Sequence, residues 1–197
     1  MNARLQIALV LLAVFALGAV VVVATTEDGD DPALAEFEGS RLPEDLPAPL
    51  FSLKNQDGER VNMASLRGSP VIVTFLYSNC EDTCPLQAQT VKGALNDLDE
   101  DVPALAISVD PARDTPDSAQ RFLGEQRMTG RMEFVLGTRL QLQAIWTGYA
   151  IRPQSVTEEH TGRFVLVDKR GRQRIGFPLN QATPERLAHD VRILLAE

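Results

Sequence analysis

Residues 71–85, VIVTFLYSNCEDTCP, decide the fold of this chain. The first seven are a continuous run of β-branched, aliphatic and aromatic residues, which is typical of a strand buried on both faces. The run ends at a turn that holds the only two cysteines of the chain, Cys80 and Cys84, and Pro85 favours the start of a helix directly after them. The stretch therefore predicts a central strand that leads two thiols to the N-terminus of a helix.

Strand and helix patterns alternate on both sides of this turn. Residues 104–109 are a second apolar run after the predicted helix, so the strand–helix–strand unit should be parallel and right-handed. The other predicted elements are a front hairpin at 50–53 and 60–62, helices at 118–126 and 139–147, a hairpin at 164–167 and 174–177, and a helix from Thr183. This order predicts an α/β, thioredoxin-like fold with an N-terminal hairpin extension.

The first 26 residues predict a membrane anchor. Residues 7–24 are all apolar or glycine, eighteen in a row, which reaches the lower limit for crossing a hydrocarbon core of about 30 Å. A cleaved signal peptide is the competing interpretation, but its apolar region usually covers about 7–15 residues. Arg4 precedes the run, and acidic residues follow it at 27, 28, 30 and 31. The positive-inside bias therefore predicts a single-pass protein of the cytoplasmic membrane with its C-terminal part on the exported side, periplasmic or extracellular.

The remainder of the chain divides into a linker and a domain. Residues 27–48 are acidic and contain prolines, which predicts a flexible linker, and residues 49–197 carry the strand and helix patterns of one folded domain. The formal net charge of the chain is -8. An acidic protein repels phosphate backbones, so nucleic acid is not an expected partner.

Cys80 and Cys84 carry the chemistry that the sequence indicates. The N-terminus of a helix favours thiolate over thiol, and two thiolates this close can bind a soft metal or form a disulfide. A purely structural disulfide across so short a loop would add little stability, so we favour a functional pair. The spacing alone does not separate metal binding from thiol–disulfide exchange.

A third ligand would come from one of two histidines, His160 and His189. His189 falls in the last predicted helix and is expected to be solvated. His160 lies in a loop before a predicted strand and can fold over the cysteine turn, although a lone loop histidine is more often a surface residue. Two thiolates and one imidazole suit copper in both oxidation states, whereas zinc usually takes a fourth ligand. Met63, Met128 and Met132 are expected to pack in the core.

Three motifs, taken in chain order, resemble the Sco/SenC family. They are CEDTCP at 80–85, SVDPARDTP at 108–116, and His160-Thr161 upstream of a strand that ends at Asp168. Members of the family commonly have an aspartate before the histidine, where this chain has Glu159. The resemblance extends from about residue 49 to the C-terminus and includes the N-terminal anchor.

The resemblance implies a copper chaperone for the assembly of cytochrome c oxidase. Cys80, Cys84 and His160 would hold Cu(I) or Cu(II), and the metal would pass to the oxidase subunit that carries the binuclear copper site. A separate copper donor and a thioredoxin-like reductant are further implied partners. Asp110 and Asp114 would organise the rim of the site without binding the metal.

Three other functions stay open at this point. A thiol–disulfide reductase that keeps the oxidase cysteines reduced would use the same cysteine pair and would not need His160. A peroxiredoxin-like peroxidase shares the fold but needs an activating arginine and threonine around one cysteine, where Glu81 and Asp82 work against a low pKa. A copper sensor would use the same three ligands as a chaperone.

Overall fold

The computed structural model describes residues 36–154 and 162–197. The strands of this part are β1 (Ser40–Arg41), β2 (Ser52–Lys54), β3 (Arg60–Asn62), β4 (Val71–Leu76), β5 (Ala104–Ser108), β6 (Glu133–Val135), β7 (Arg163–Val167) and β8 (Gln173–Pro178). The α-helices are α1 (Thr83–Asp97), α2 (Pro116–Glu125), α3 (Arg139–Gly148) and α4 (Pro184–Ala196). Short 3-10 turns follow β3 at Met63–Leu66 and β8 at Leu179–Gln181.

Six of these strands form one mixed sheet in the order β1-β8-β7-β4-β5-β6. β4 pairs in parallel with β5, and β5 pairs in parallel with β6. On its other edge β4 pairs antiparallel with β7, which continues antiparallel to β8. β2 and β3 form a separate hairpin. The predicted parallel unit, antiparallel hairpin, closing helix and front hairpin are therefore confirmed.

The apolar run of β4 is continuous because both faces of the strand are covered. Ile72 and Leu76 join the apolar cluster to which α1, α2 and α4 contribute, whereas Val73 and Phe75 join the cluster that includes α3 and the β2–β3 hairpin. All six residues of β4 are buried. This position fixes the end of β4, and with it the cysteine turn, between two packed layers.

The folded domain begins earlier in the chain than the sequence patterns predict. β1, which the sequence analysis did not predict, pairs with the edge strand β8 inside the predicted linker. The backbone N–H groups of Glu38 and Gly39 each donate to the buried carboxylate of Asp190 at 2.9 Å. The described part of the predicted linker, residues 36–48, therefore packs on the sheet.

The predicted anchor, residues 1–26, and the first part of the predicted linker lie outside the described residues. Within residues 36–154 and 162–197, no helix combines the length and the apolar character that a membrane crossing requires.

Candidate metal centre

The cysteine turn lies where the parallel strands end. β4 stops at Leu76, and α1 begins at Thr83, so that Cys84 is the second residue of the helix. Cys80 is 7% exposed, Cys84 is fully buried, and both are free thiols. The backbone N–H of Cys84 donates to Cys80 Sγ at 3.3 Å. The turn therefore places both sulfurs at the N-terminus of α1, as the sequence predicts, although the helix begins two residues before Pro85.

The pKa values of the two cysteines are shifted in opposite directions. A hydrogen bond from the Cys84 side chain lowers the pKa of Cys80 to about 4 against the effect of burial, and the backbones of Cys84 and Asp82 and the side chain of Tyr77 add further hydrogen bonds. The same bond between the cysteines, together with burial, raises the pKa of Cys84. The reduced pair therefore consists of a Cys80 thiolate and a Cys84 thiol. A soft metal that binds both sulfurs displaces the remaining proton.

We expect Cys80 of the reduced protein to react with iodoacetamide at similar rates at about pH 5.5 and about pH 7.5, since it is a thiolate at both. An ordinary cysteine with a pKa near 8.5 would slow about 100-fold over the same interval. Cys84, with its raised pKa and no exposed surface, should remain unmodified. Mass spectrometry of the alkylated protein measures each position. A Cys80 rate with the pH dependence of an ordinary thiol would contradict the assignment.

Asp114 stabilises the cysteine turn through hydrogen bonds. Its Oδ1 accepts hydrogen bonds from the backbone N–H and the hydroxyl of Ser78, both at 2.7 Å, and its Oδ2 accepts from the Ser108 hydroxyl at 2.5 Å. The Ser78 hydroxyl oxygen also lies 2.7 Å from the hydroxyl of Ser118 in α2, within hydrogen-bond distance. Burial raises the pKa of Asp114 against these hydrogen bonds. One carboxylate thus joins the end of β5 to the residue two positions before Cys80.

Asp110 has a separate role on the same loop. Its carbonyl accepts from the backbone N–H of Asp114 at 2.9 Å, and its carboxylate pairs with the Arg113 guanidinium at 2.5 Å. Both aspartates therefore stabilise the loop between β5 and α2, in line with the supporting role expected for them.

The structure brings together two of the three predicted ligands. His160 lies outside the described residues. His189 is in α4, partly exposed, with its Nδ1 3.0 Å from Asp190 Oδ1. The three methionines considered above are buried in the core, as predicted. Among the described residues, no group of three or more His, Cys, Asp or Glu side chains is arranged to hold a metal ion.

Two residues beside the cysteines were missed by the sequence analysis. Tyr77 ends the apolar run and supplies a hydrogen bond to Cys80. Gln87 is fully buried one turn after Cys84. Its position three residues after Cys84 on a helix was the available signal, because residues three and four apart share one face.

The fold and this site define a thioredoxin-like protein with a dithiol at the N-terminus of α1. The chain belongs to the SCO1/SenC family, whose model matches residues 41–196. This match confirms the family that the three motifs indicated.

Individual relatives agree with that assignment. Protein SenC of Rhodobacter capsulatus is 31% identical over 156 residues, which is 74% of this chain and 69% of SenC. The solved structure of Bradyrhizobium japonicum ScoI with copper bound is 30% identical with a TM-score of 0.60, covering 74% of this chain and 98% of ScoI. BsSco, a member of the Sco family of cytochrome c oxidase assembly proteins, is 24% identical with a TM-score of 0.68 over 77% of this chain and 95% of its own. BsSco therefore supports the fold.

Proposed function

We propose that this protein binds copper through Cys80, Cys84 and His160 and delivers it to the binuclear copper site of cytochrome c oxidase during assembly. The observation that carries the proposal is the pair of reduced, buried sulfurs at the N-terminus of α1. Thiolates are the ligands that Cu(I) prefers, and an imidazole adds the capacity to hold Cu(II). The relatives support it, since ScoI has been solved with copper bound.

The geometry favours a carrier over a permanent metal site. Both sulfurs belong to one short turn, so the incoming ligands of an acceptor have to reach a single loop in order to replace them. Cys80 is already a thiolate in the reduced protein, which leaves one proton to be displaced from Cys84 when copper binds. Asp114 holds the turn in place through Ser78. A separate copper donor would load the site, and a thioredoxin-like reductant would keep both sulfurs available.

A thiol–disulfide reductase is the second candidate. The low pKa of Cys80 favours it, because a thiolate at neutral pH is the attacking species in thiol–disulfide exchange. Both functions need the two cysteines. The two functions differ in their need for His160. Thiol–disulfide exchange does not require this histidine, whereas a site that binds Cu(II) does.

In a cell that lacks the protein, we expect oxidase activity to fail under copper limitation and to return when copper is added. Excess metal bypasses a carrier of scarce copper, whereas it does not replace a reductant. The variants C80S/C84S and H160A should both fail to restore the oxidase at low copper, and both should be rescued by added copper. Full restoration by H160A, combined with failure of C80S/C84S, would support the reductase instead.

We also propose that residues 1–26 anchor the protein in the cytoplasmic membrane and that the copper-binding domain lies on the exported side. The support is the eighteen-residue apolar run with Arg4 before it and acidic residues after it. A reporter fused to the C-terminus should be active on the exported side, and the protein should stay with membranes after a salt wash. Release of a shortened soluble form would show that the segment is a cleaved signal.

A further inference from the structure

The two sulfurs of the cysteine turn are covered, but the residues around them are exposed. Cys80 and Cys84 are both buried. Residues 81–83, which lie between them, are all exposed, and so is Leu86, two residues after Cys84. A protein that takes copper from the sulfurs therefore has to contact the side chains of this turn and of the first turn of α1.

Leu86 places an apolar side chain on that surface. It is 67% exposed and is one of three large hydrophobic residues that are exposed in the described part of the chain. Thr83, three residues earlier in α1, is exposed on the same face of the helix. A single exposed leucine is common on protein surfaces. The position of this one beside the cysteine pair makes it a contact for a partner that approaches the sulfurs, and covering it would be favourable.

Two carboxylates in the turn carry charge that the described residues do not neutralise. Glu81 and Asp82 are exposed, and neither takes part in the ion pairs of the described chain. Asp82 is the N-cap of α1, yet its side chain makes no capping hydrogen bond, whereas the threonine N-caps of α2, α3 and α4 do. Arg113, on the loop between β5 and α2, is paired with Asp110. The turn therefore presents two negative charges beside an apolar side chain.

These charges distinguish between possible occupants of the surface. A second copy of this chain that paired through the same surface would bring both sets of carboxylates together, and like charges oppose such a contact. Nucleic acid and anionic lipid are repelled in the same way. A protein surface that combines an apolar patch with lysine or arginine side chains complements both features of the turn.

We propose that Glu81, Asp82 and Leu86 form a docking surface for the copper acceptor, a protein whose metal site is flanked by an apolar patch and by basic side chains. The inference rests on the proposed function, since it takes a protein to be the recipient of the copper. In the docked complex Cu(I) leaves the two sulfurs for ligands of the acceptor without a change in oxidation state, and one proton returns to Cys84. The docking surface acts on the encounter with the acceptor and leaves the affinity for copper unchanged.

The test measures how fast Cu(I) passes from the full chain to the copper-free oxidase subunit that carries the binuclear copper site. We expect L86A to lower the second-order rate constant about 10-fold, because a buried apolar contact of the complex is lost. E81Q/D82N should lower it about 10-fold at low ionic strength and much less at about 0.5 M salt, where the charges are screened. The Cu(I) affinity of both variants should stay within about threefold of the wild type, since both thiolates remain.

Two matched variants and a small chelator serve as controls. L140A removes a leucine that is 86% exposed at the start of α3, which packs on the other face of the sheet from α1. D99N/E100Q removes two exposed carboxylates just beyond the far end of α1. Both variants should transfer copper at the wild-type rate. A small neutral Cu(I) chelator should take copper from every variant at the same rate, because it does not need the docking surface.

Wild-type transfer rates in L86A and E81Q/D82N would overturn the docking surface, and faster transfer in E81Q/D82N would overturn the basic acceptor. Equal slowing with the chelator would place the effect in the metal site, and equal slowing in D99N/E100Q would assign it to net charge. A wild-type dimer that L86A dissociates, with transfer unchanged, would assign the surface to a second copy. Each of these results overturns the inference and leaves the proposed function standing. A wild-type protein that binds copper and passes none to the subunit would overturn the proposed delivery, and the inference with it.

Discussion

Replacing both Cys80 and Cys84 by serine should abolish copper binding while leaving the domain folded. A hydroxyl is a poor ligand for Cu(I), so the variant loses both soft donors and with them the basis of the site. The two residues are buried as free thiols and make no disulfide, so serine removes no cross-link. Metal analysis after gel filtration of the copper-loaded variant measures the loss directly, and circular dichroism checks the fold.

The single variants refine this prediction. C80S and C84S should each bind Cu(I) far more weakly than the wild type, since one thiolate is left. The methionine variant M128L, at a fully buried core position, should bind copper as the wild type does. Stoichiometric copper in C80S/C84S would show that the metal is held elsewhere.

The second large effect is expected for Asp114→Ala. The change removes the acceptor of three hydrogen bonds and leaves two serine hydroxyls and the backbone N–H of Ser78 to find other partners. Leaving buried donors unsatisfied costs about 1–3 kcal/mol each, so the free energy of unfolding should fall by roughly 2–4 kcal/mol after partial relaxation. Denaturant unfolding of the reduced, metal-free domain measures the difference.

The substitution should also weaken the proposed copper site, because Ser78 lies two residues before Cys80. We expect copper affinity to fall about 10–100-fold in Asp114→Ala. Asp117→Ala is the control, since that carboxylate is exposed in the first turn of α2 and should change the unfolding free energy by less than about 1 kcal/mol. Equal changes in unfolding free energy and copper affinity in the two variants would contradict the role assigned to Asp114.

The central part of the fold was predictable because its physical causes are local in the sequence. β4 is a continuous apolar run because both of its faces are buried, and this pattern is visible without coordinates. The parallel pairing with β5 follows from the helix between the two strands. The position of the cysteine pair follows in turn from the end of β4 and the start of α1.

Other features depend on contacts that are distant in the sequence. β1 is two exposed residues with no apolar pattern, and it is held by its pairing with β8. The two residues before it, Glu38 and Gly39, are held by Asp190, about 150 residues later. The unequal pKa values of Cys80 and Cys84 depend on how the turn closes. Gln87 Nε2 has no hydrogen-bond partner among the described residues, and this becomes visible only once α1 is packed against the sheet. His160 as the third ligand stays a prediction from the sequence and the family resemblance.

One titration tests the copper-binding account most directly. The domain from residue 36 onward, fully reduced, is titrated with Cu(I) under anaerobic conditions and with Cu(II) by absorption and EPR, beside the same domain oxidised to the Cys80–Cys84 disulfide. The account predicts one copper per reduced chain, almost none in the oxidised form, and loss of the Cu(II) signal in H160A with Cu(I) retained at lower affinity. Tight copper binding by the oxidised form would contradict it, because the metal would then be held without the two thiolates.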